Sequence, residues 1–311
     1  MKRLEIHLHS NYSCNLHCKH CYNFSDVHRE AELPAEFMIT LINDLCKQYE
    51  TEIHLEGGEI FLKPRFLVLL NDLPDEVLKC ITITTNGTIC LKDEAILSAL
   101  RKIGSLRISV EGHTNEQQRA VRGIDIDNVL ENARYYMENG VPVWLRVTLN
   151  QYNQDGFVNC TLPALSEKGF RRIQVYEFQK VGRGSENNKE LALNGTISDI
   201  LADLINYKDS LECELKIMLS QRRLCEVKEY EQKLNENHFE VRYLELEDGI
   251  SIHADGEIFL CAWDNDVSHS LGNVLKMDSE AFFDLLCQTN LKHNCEYCST
   301  IVVTNRGDDL C

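Results

Sequence analysis

Apolar positions in the N-terminal part of the chain switch repeatedly between two periods. Leu4-Glu5-Ile6-His7-Leu8 alternates residue by residue, as a half-buried strand does, and Ala35 to Tyr49 then carries Phe37, Leu41 and Leu45 at the spacing of one helix face. The exchange recurs. Thr51 to Leu55 reads as a strand, Arg65 to Leu73 as a helix, Cys80 to Thr85 as a strand and Glu94 to Ile103 as a helix. Ser105 to Val110, Val143 to Leu149 and Arg172 to Phe178 follow as strands, separated by helices at Asp127 to Asn139 and Thr161 to Lys168. Strands that alternate with helices in this way predict an α/β fold with parallel strands and the helices packed outside them.

The rhythm stops at the polar, glycine-containing stretch Gly182-Arg183-Gly184-Ser185-Glu186-Asn187-Asn188-Lys189, which places a domain boundary between residues 1–185 and 186–311. Beyond it the pattern predicts a helix at Ile197 to Tyr207, a charged stretch through Glu226 to His238, and a hairpin from Ile250 to Cys261 turning at Asp255-Gly256. A cysteine-rich tail closes the chain.

Composition narrows the function classes. The chain has 311 residues, 43% hydrophobic and 26% charged, which excludes disorder and low complexity. No apolar run approaches the ~18–20 residues that cross a bilayer, and Met1-Lys2-Arg3-Leu4-Glu5-Ile6-His7 lacks the apolar core of a signal peptide, so a cytoplasmic location without membrane partners is expected. The net charge of −17 repels polyanions and argues against nucleic acid as a partner, leaving small molecules or a peptide with cationic parts. Fourteen cysteines without a secretion signal point to metal or catalytic chemistry rather than disulfides.

Three of those cysteines, Cys14, Cys18 and Cys21, follow the first predicted strand within eight residues. Three thiolates leave a metal centre with one open position. Structural zinc takes four protein ligands, so zinc here would need a histidine such as His7, His9, His17, His20 or His28. An iron-sulfur cluster on three cysteines instead keeps one iron open to a ligand. Polar segments recur where the next strands end. Gly57-Gly58-Glu59 offers close backbone approach and an acceptor for an ammonium group, and Thr84-Thr85-Asn86-Gly87 and Ser109-Val110-Glu111-Gly112 end the third and fourth strands. Barrel active sites are built at that rim. Arg146 lies on the fifth predicted strand and Asn150 at its end.

Three cysteines separated by three and then two residues after the first strand resemble the signature of the radical S-adenosylmethionine (SAM) superfamily. The resemblance covers roughly residues 4 to 185 and implies a partial (β/α)6 TIM-like barrel with Cys14, Cys18 and Cys21 on a 4Fe-4S cluster. It places Gly57, Gly58 and Glu59 at the amino group of SAM methionine, and Thr85, Asn86, Ser109 and Glu111 toward its ribose and methionine portions. Arg146 falls at its carboxylate. Arg122, Asn150 and Arg183 complete the similarity. His20 departs from the pattern, since the family has an aromatic residue before the third cysteine; Tyr22 is expected to substitute beside the adenine.

In the C-terminal part, Cys261 lies five residues after Gly256, and Cys295-Glu296-Tyr297-Cys298 adds a close pair. With Cys225 they supply four thiols, enough for one closed iron-sulfur site. The arrangement resembles the twitch extension, a shortened SPASM domain, and implies one auxiliary 4Fe-4S cluster. Cys225 lies 31 residues before Gly256, farther than in the family, and Cys213, Cys287 and Cys311 are the alternatives to it.

The resemblance implies an enzyme that cleaves SAM reductively to a 5'-deoxyadenosyl radical and abstracts hydrogen from a substrate, with flavodoxin or ferredoxin as electron donor. The expected substrate is a ribosomally synthesised peptide, modified by crosslinking, oxidation or epimerisation. Dehydrogenation or epimerisation of a small sugar or aminocyclitol is the alternative enzyme activity. An iron-sulfur or zinc redox sensor is the non-enzymatic one.

Overall fold

The computed structural model describes residues 1–244, 248–292 and 296–305. Two cysteines singled out above, Cys295 and Cys311, lie outside the described residues.

Strands β1 (Arg3–His9), β2 (Glu50–Glu56), β3 (Ile81–Thr85), β4 (Ser105–Val110), β5 (Val143–Leu149) and β6 (Arg172–Glu177) pair in sequence order, all parallel. Helices such as Ala35–Gln48, Glu94–Leu100 and Asp127–Glu138 connect them. The alternation along each strand explains the layering. On β5, Val143, Leu145, Val147 and Leu149 are buried in the hydrophobic core, while Trp144, Arg146 and Thr148 take the other face. On β1, Leu4, Ile6 and Leu8 join the same core, and Glu5, His7 and His9 take the opposite face. The interior of this partial barrel is therefore lined by polar side chains.

The chain after residue 185 continues the same sheet on both sides. β7 (Glu214–Ser220) adds parallel to β6, and β9 (Asp248–Ile252) adds parallel to β1. β8 (Glu240–Tyr243) pairs with β12 (Ser299–Thr304), which lies antiparallel to β7. The hairpin expected at Asp255-Gly256 is present: β10 (Glu257–Phe259) folds back on β9, with Gly256 at a φ of 88° that favours glycine. The two-residue β11 (Gly272–Asn273) follows on β10, completing a sheet of 12 strands among the described residues.

Two helices depart from the sequence reading. The helix expected at Arg65 to Leu73 covers Pro64–Leu69 and tightens into a short 3-10 turn, Leu70–Asp72, ahead of Pro74. The helix Asn115–Arg122 escaped the hydrophobic pattern because two of its three buried residues, Gln118 and Arg122, are polar. It is specified instead by the capping box of Thr114 and Gln117. The charged stretch forms the helix Leu224–Glu236, anchored by Val227 and Leu234. No helix is long and apolar enough to cross a membrane among the described residues.

Candidate active site

Cys14, Cys18 and Cys21 occupy the loop after β1 and line a single cavity at the carboxyl ends of the parallel strands. Backbone bonds shape the loop: Cys14 N donates to Asp26 O at 3.0 Å, Lys19 N to Val121 O at 2.9 Å and Cys21 N to Cys18 O at 3.2 Å. Its carbonyls are tied down from the segment after β6. Arg183 Nη1 donates to Cys18 O at 3.2 Å, Arg183 N to Cys21 O at 2.9 Å and Asn187 Nδ2 to Lys19 O at 3.1 Å. Burial pushes the Cys14 thiol up to about 11; it pushes Cys18 to about 12 even though the Arg122 charge pulls the other way. Both stay protonated at neutral pH until a cation arrives to stabilise the thiolates.

Two glycines permit the close packing of this loop. A Cβ on Gly58 would stand 2.1 Å from Ser13 O, which excludes any other residue where Gly58 N donates to Asn11 O at 2.6 Å. Gly182, at a φ of 53°, lies equally close to the backbone of Tyr22: its Cβ would stand 2.2 Å from Tyr22 O.

Of the strand-end residues singled out from the sequence, Gly57, Gly58, Thr85, Asn86, Ser109 and Arg146 all line the cavity. Asn86 Nδ2 donates to Asn15 Oδ1 at 2.9 Å and lies 3.8 Å from Cys14 Sγ. The two carboxylates stand behind this lining. Glu59 Oε1 accepts from Phe61 N at 2.9 Å and Thr85 Oγ1 at 2.7 Å, and Oε2 accepts from Asn86 N at 2.7 Å. Burial raises its pKa despite these donors. Glu59 thus ties the end of β2 to the end of β3.

Glu111 is likewise enclosed, accepting from Arg122 Nε at 2.8 Å and Asn150 Nδ2 at 2.8 Å, with His20 Nε2 at 2.7 Å. Burial works against its charge, but His20 and Arg122 outweigh it and its pKa falls. This explains what His20 does in place of an aromatic residue: it joins a buried charged cluster that also includes Arg122, whose Nη1 lies 3.9 Å from Cys18 Sγ.

Tyr22 lines the cavity and donates its hydroxyl to Glu56 Oε2 at 2.5 Å. Burial would keep Glu56 protonated, yet His7 and Arg146 hold its pKa well below the usual range. Arg146 lies over the Tyr176 ring, 4.6 Å from its centroid, and its buried Nε has no hydrogen-bond partner in the structure. Sequence reasoning missed Glu56, Tyr176, Gln179 and Trp263, all of which line the cavity. The first three sit at strand ends and were accessible to the rim rule. Trp263 was not: it comes from the loop after Cys261 and meets the Tyr22 ring edge to face at 5.0 Å, while Asn265 Nδ2 donates to Tyr22 O at 3.1 Å.

The C-terminal cysteines come from three separate segments. Cys261 is buried after β10, Cys298 is half-buried before β12, and Cys225 is exposed in the first turn of Leu224–Glu236. The pairing of Ser299 with Ser220 sets Cys298 beside the end of β7, from which the turn Gln221–Arg223 leads to Cys225. Of the alternatives, Cys213 is buried just before β7 begins, about 23 Å of strand from that end. Cys287 contacts Tyr49, ahead of the start of β2.

Comparison with known proteins adds the following. Residues 10–158 match the family model described as the radical SAM superfamily. The pre-heme d1 synthase of Dinoroseobacter shibae is 28% identical over 180 residues, 57% of this chain and 44% of that protein. The putative peptide biosynthesis protein YydG of Bacillus subtilis is 27% identical over 191 residues, 60% of this chain and 57% of that one. The chain thus spans about half the length of these curated relatives. The crystal structure of Streptococcus suis SuiB bound to its precursor peptide SuiA aligns with a TM-score of 0.71 at 14% identity, covering 94% of this chain and 66% of that one.

Proposed function

We propose, from the radical SAM domain that this chain carries at residues 10–158, that the protein cleaves SAM reductively and uses the resulting radical to take hydrogen from a ribosomally synthesised peptide. The observation that carries this reading is the convergence of Cys14, Cys18 and Cys21 with the ends of β2 to β6 on one cavity.

The residues fit the cofactors. Three thiols that share one cavity suit a 4Fe-4S cluster with an open iron better than a closed zinc site. Gly57 and Gly58 admit a ligand close to the backbone, and the unpartnered Nε–H of Arg146 suits a carboxylate. When bound, the cluster and SAM supply a 5'-deoxyadenosyl radical, the hydrogen-abstracting agent.

The protein's own side chains position and shield that chemistry. Arg183 and Asn187 hold the cysteine loop, and Glu59 fixes the rim of β2 and β3. Tyr22 and Trp263 wall the cavity with aromatic surface, and Glu56 holds the Tyr22 hydroxyl proton. We assign Cys225, Cys261 and Cys298, with Cys295, to one auxiliary 4Fe-4S cluster, and a flavodoxin or ferredoxin as the electron source. The identity to YydG, whose description is of peptide biosynthesis, supports a peptide substrate, and the charge of −17 suits a cationic segment.

The test is anaerobic. Purified, cluster-loaded protein given SAM and dithionite should form 5'-deoxyadenosine, and a precursor peptide encoded beside the gene should change mass. Absence of 5'-deoxyadenosine overturns the enzymatic reading. Its formation without change in any neighbouring peptide overturns the substrate.

A further inference from the structure

We propose that Glu5, His7 and His54 form a binding site for one zinc-class divalent cation inside the barrel, below the cavity that the cysteines line. The parallel register of β1 and β2 sets Glu5 opposite Glu52 and His7 opposite His54, so all four side chains share the polar interior face. The His7 and His54 rings stack with centroids 4.7 Å apart and planes at 21°. Both turn Nε2 toward the same carboxylate oxygen, Glu5 Oε1, at 3.3 Å from His7 and 3.2 Å from His54. A zinc ion bound at about 2.0–2.1 Å separates tetrahedral nitrogen and oxygen donors by about 3.3 Å. Each nitrogen therefore stands at ligand spacing from the carboxylate oxygen, and all three donors lie within 4.8 Å of one another; the stacked rings must turn for both nitrogen lone pairs to meet one ion.

The surroundings suit a cation. Glu52 Oε1 lies 3.3 Å from His54 Nε2, and Glu56 Oε2 lies 3.7 Å from His7 Nδ1, a buried nitrogen without a hydrogen-bond partner. Metal on His7 Nε2 leaves the proton on Nδ1, facing Glu56, the carboxylate-histidine-metal arrangement that orients ligating imidazoles. Three carboxylates, Glu5, Glu52 and Glu56, face two arginines, Arg107 and Arg146, and the excess negative charge favours a cation. Without metal, a proton fills this role: burial opposes charging His7, but Glu5 and Glu56 raise its pKa to about 10. Glu5, with 43% of its side chain exposed, leaves an approach for the ion. One group opposes binding. Arg107 Nη1 lies 3.4 Å from His54 Nδ1, which would carry the proton once Nε2 binds metal, so Arg107 must give up that contact and keep the Tyr176 hydroxyl, also at 3.4 Å.

The site connects to the cavity through one chain of groups, since Glu56 also accepts the Tyr22 hydroxyl. It does not depend on radical chemistry, and its test reads metal alone. Full-length protein, loaded anaerobically with iron and sulfide, is equilibrated with zinc and desalted. Wild type should retain one zinc per chain more than His54→Ala. Zinc-edge X-ray absorption should place that extra ion among nitrogen and oxygen at about 2.0–2.1 Å. Glu5→Gln should weaken binding by more than about tenfold, the least that a lost outer contact costs, and Arg107→Gln should tighten it. Should His54→Ala fail to fold, the half-exposed Glu5→Gln carries the comparison alone. Equal zinc in wild type and variants, or an extra zinc surrounded by sulfur at about 2.3 Å, overturns the proposal.

Discussion

Arg122 donates from Nε to Oε1 of Glu111 at 2.8 Å, with both side chains buried. The same guanidinium reaches toward Cys18, so one cation serves a buried carboxylate and a cysteine of the trio. Replacing Arg122 by Leu leaves Glu111 without its guanidinium partner, and breaking such a buried pair costs about 3–5 kcal/mol. Anaerobic denaturant unfolding should show that loss, and Arg122→Leu combined with Glu111→Gln should recover part of it. Full stability in Arg122→Leu would mean that the buried pair does not hold the fold together.

Substituting Cys14, Cys18 and Cys21 together by Ala should abolish formation of 5'-deoxyadenosine. Iron and sulfide analysis of that variant then counts what the C-terminal cysteines hold. About four of each per chain are expected for one auxiliary 4Fe-4S cluster; none would remove the cluster.

Gly182→Ala meets two obstacles, a positive φ and the backbone carbonyl of Tyr22 at 2.2 Å. Alanine at a left-handed position costs more than about 1 kcal/mol, and here the close contact must also push Tyr22. The melting temperature should fall and SAM affinity with it. Unchanged SAM binding would dissociate the segment after β6 from the cavity.

Trp263→Ala removes the edge-to-face partner of Tyr22, an interaction of about 0.5–1.5 kcal/mol beyond its area. A KM for SAM or peptide that rises several-fold, with a smaller change in kcat, is the expected result of steady-state measurement. A loss confined to kcat would assign Trp263 to the chemical step.

In metal-free protein, burial disfavours the charged form of His7, but Glu5 and Glu56 raise its pKa from the ordinary 6.5 to about 10. The protonated ring therefore contributes its stability fully below about pH 6.5, and that contribution fades as pH climbs toward 10. Unfolding measured with chelator present at pH 7 and pH 9.5 should show a drop in wild type that His7→Gln lacks. A parallel decline in both would assign the slope elsewhere.

The barrel strands were legible because each buries one face: the alternation at Leu4-Glu5-Ile6-His7-Leu8 is the same signal that places Leu4, Ile6 and Leu8 in the core. The cysteine trio was legible because its spacing is local. Pairings between distant segments were not. Nothing near Asp248 to Ile252 announces that this strand adds beside β1, some 240 residues earlier, although the hairpin that contains it was expected. Contributions that depend on such pairings were hidden for the same reason, as with Trp263. Glu59 and Glu111 were read as ligand-facing because the resemblance places them toward SAM. In the structure the counter-groups come from the protein itself, Asn86 and Thr85 for one and Arg122 and Asn150 for the other.

β7 and β9 grip the two margins of the six-stranded parallel run, one against β6 and the other against β1. A fragment ending at residue 185 would keep every thiol of the trio yet bare two rows of unsatisfied backbone donors and acceptors, templates for self-association. The polypeptide that bears Cys225, Cys261 and Cys298 is hence no detachable accessory: its strands satisfy the backbone of β1 and β6.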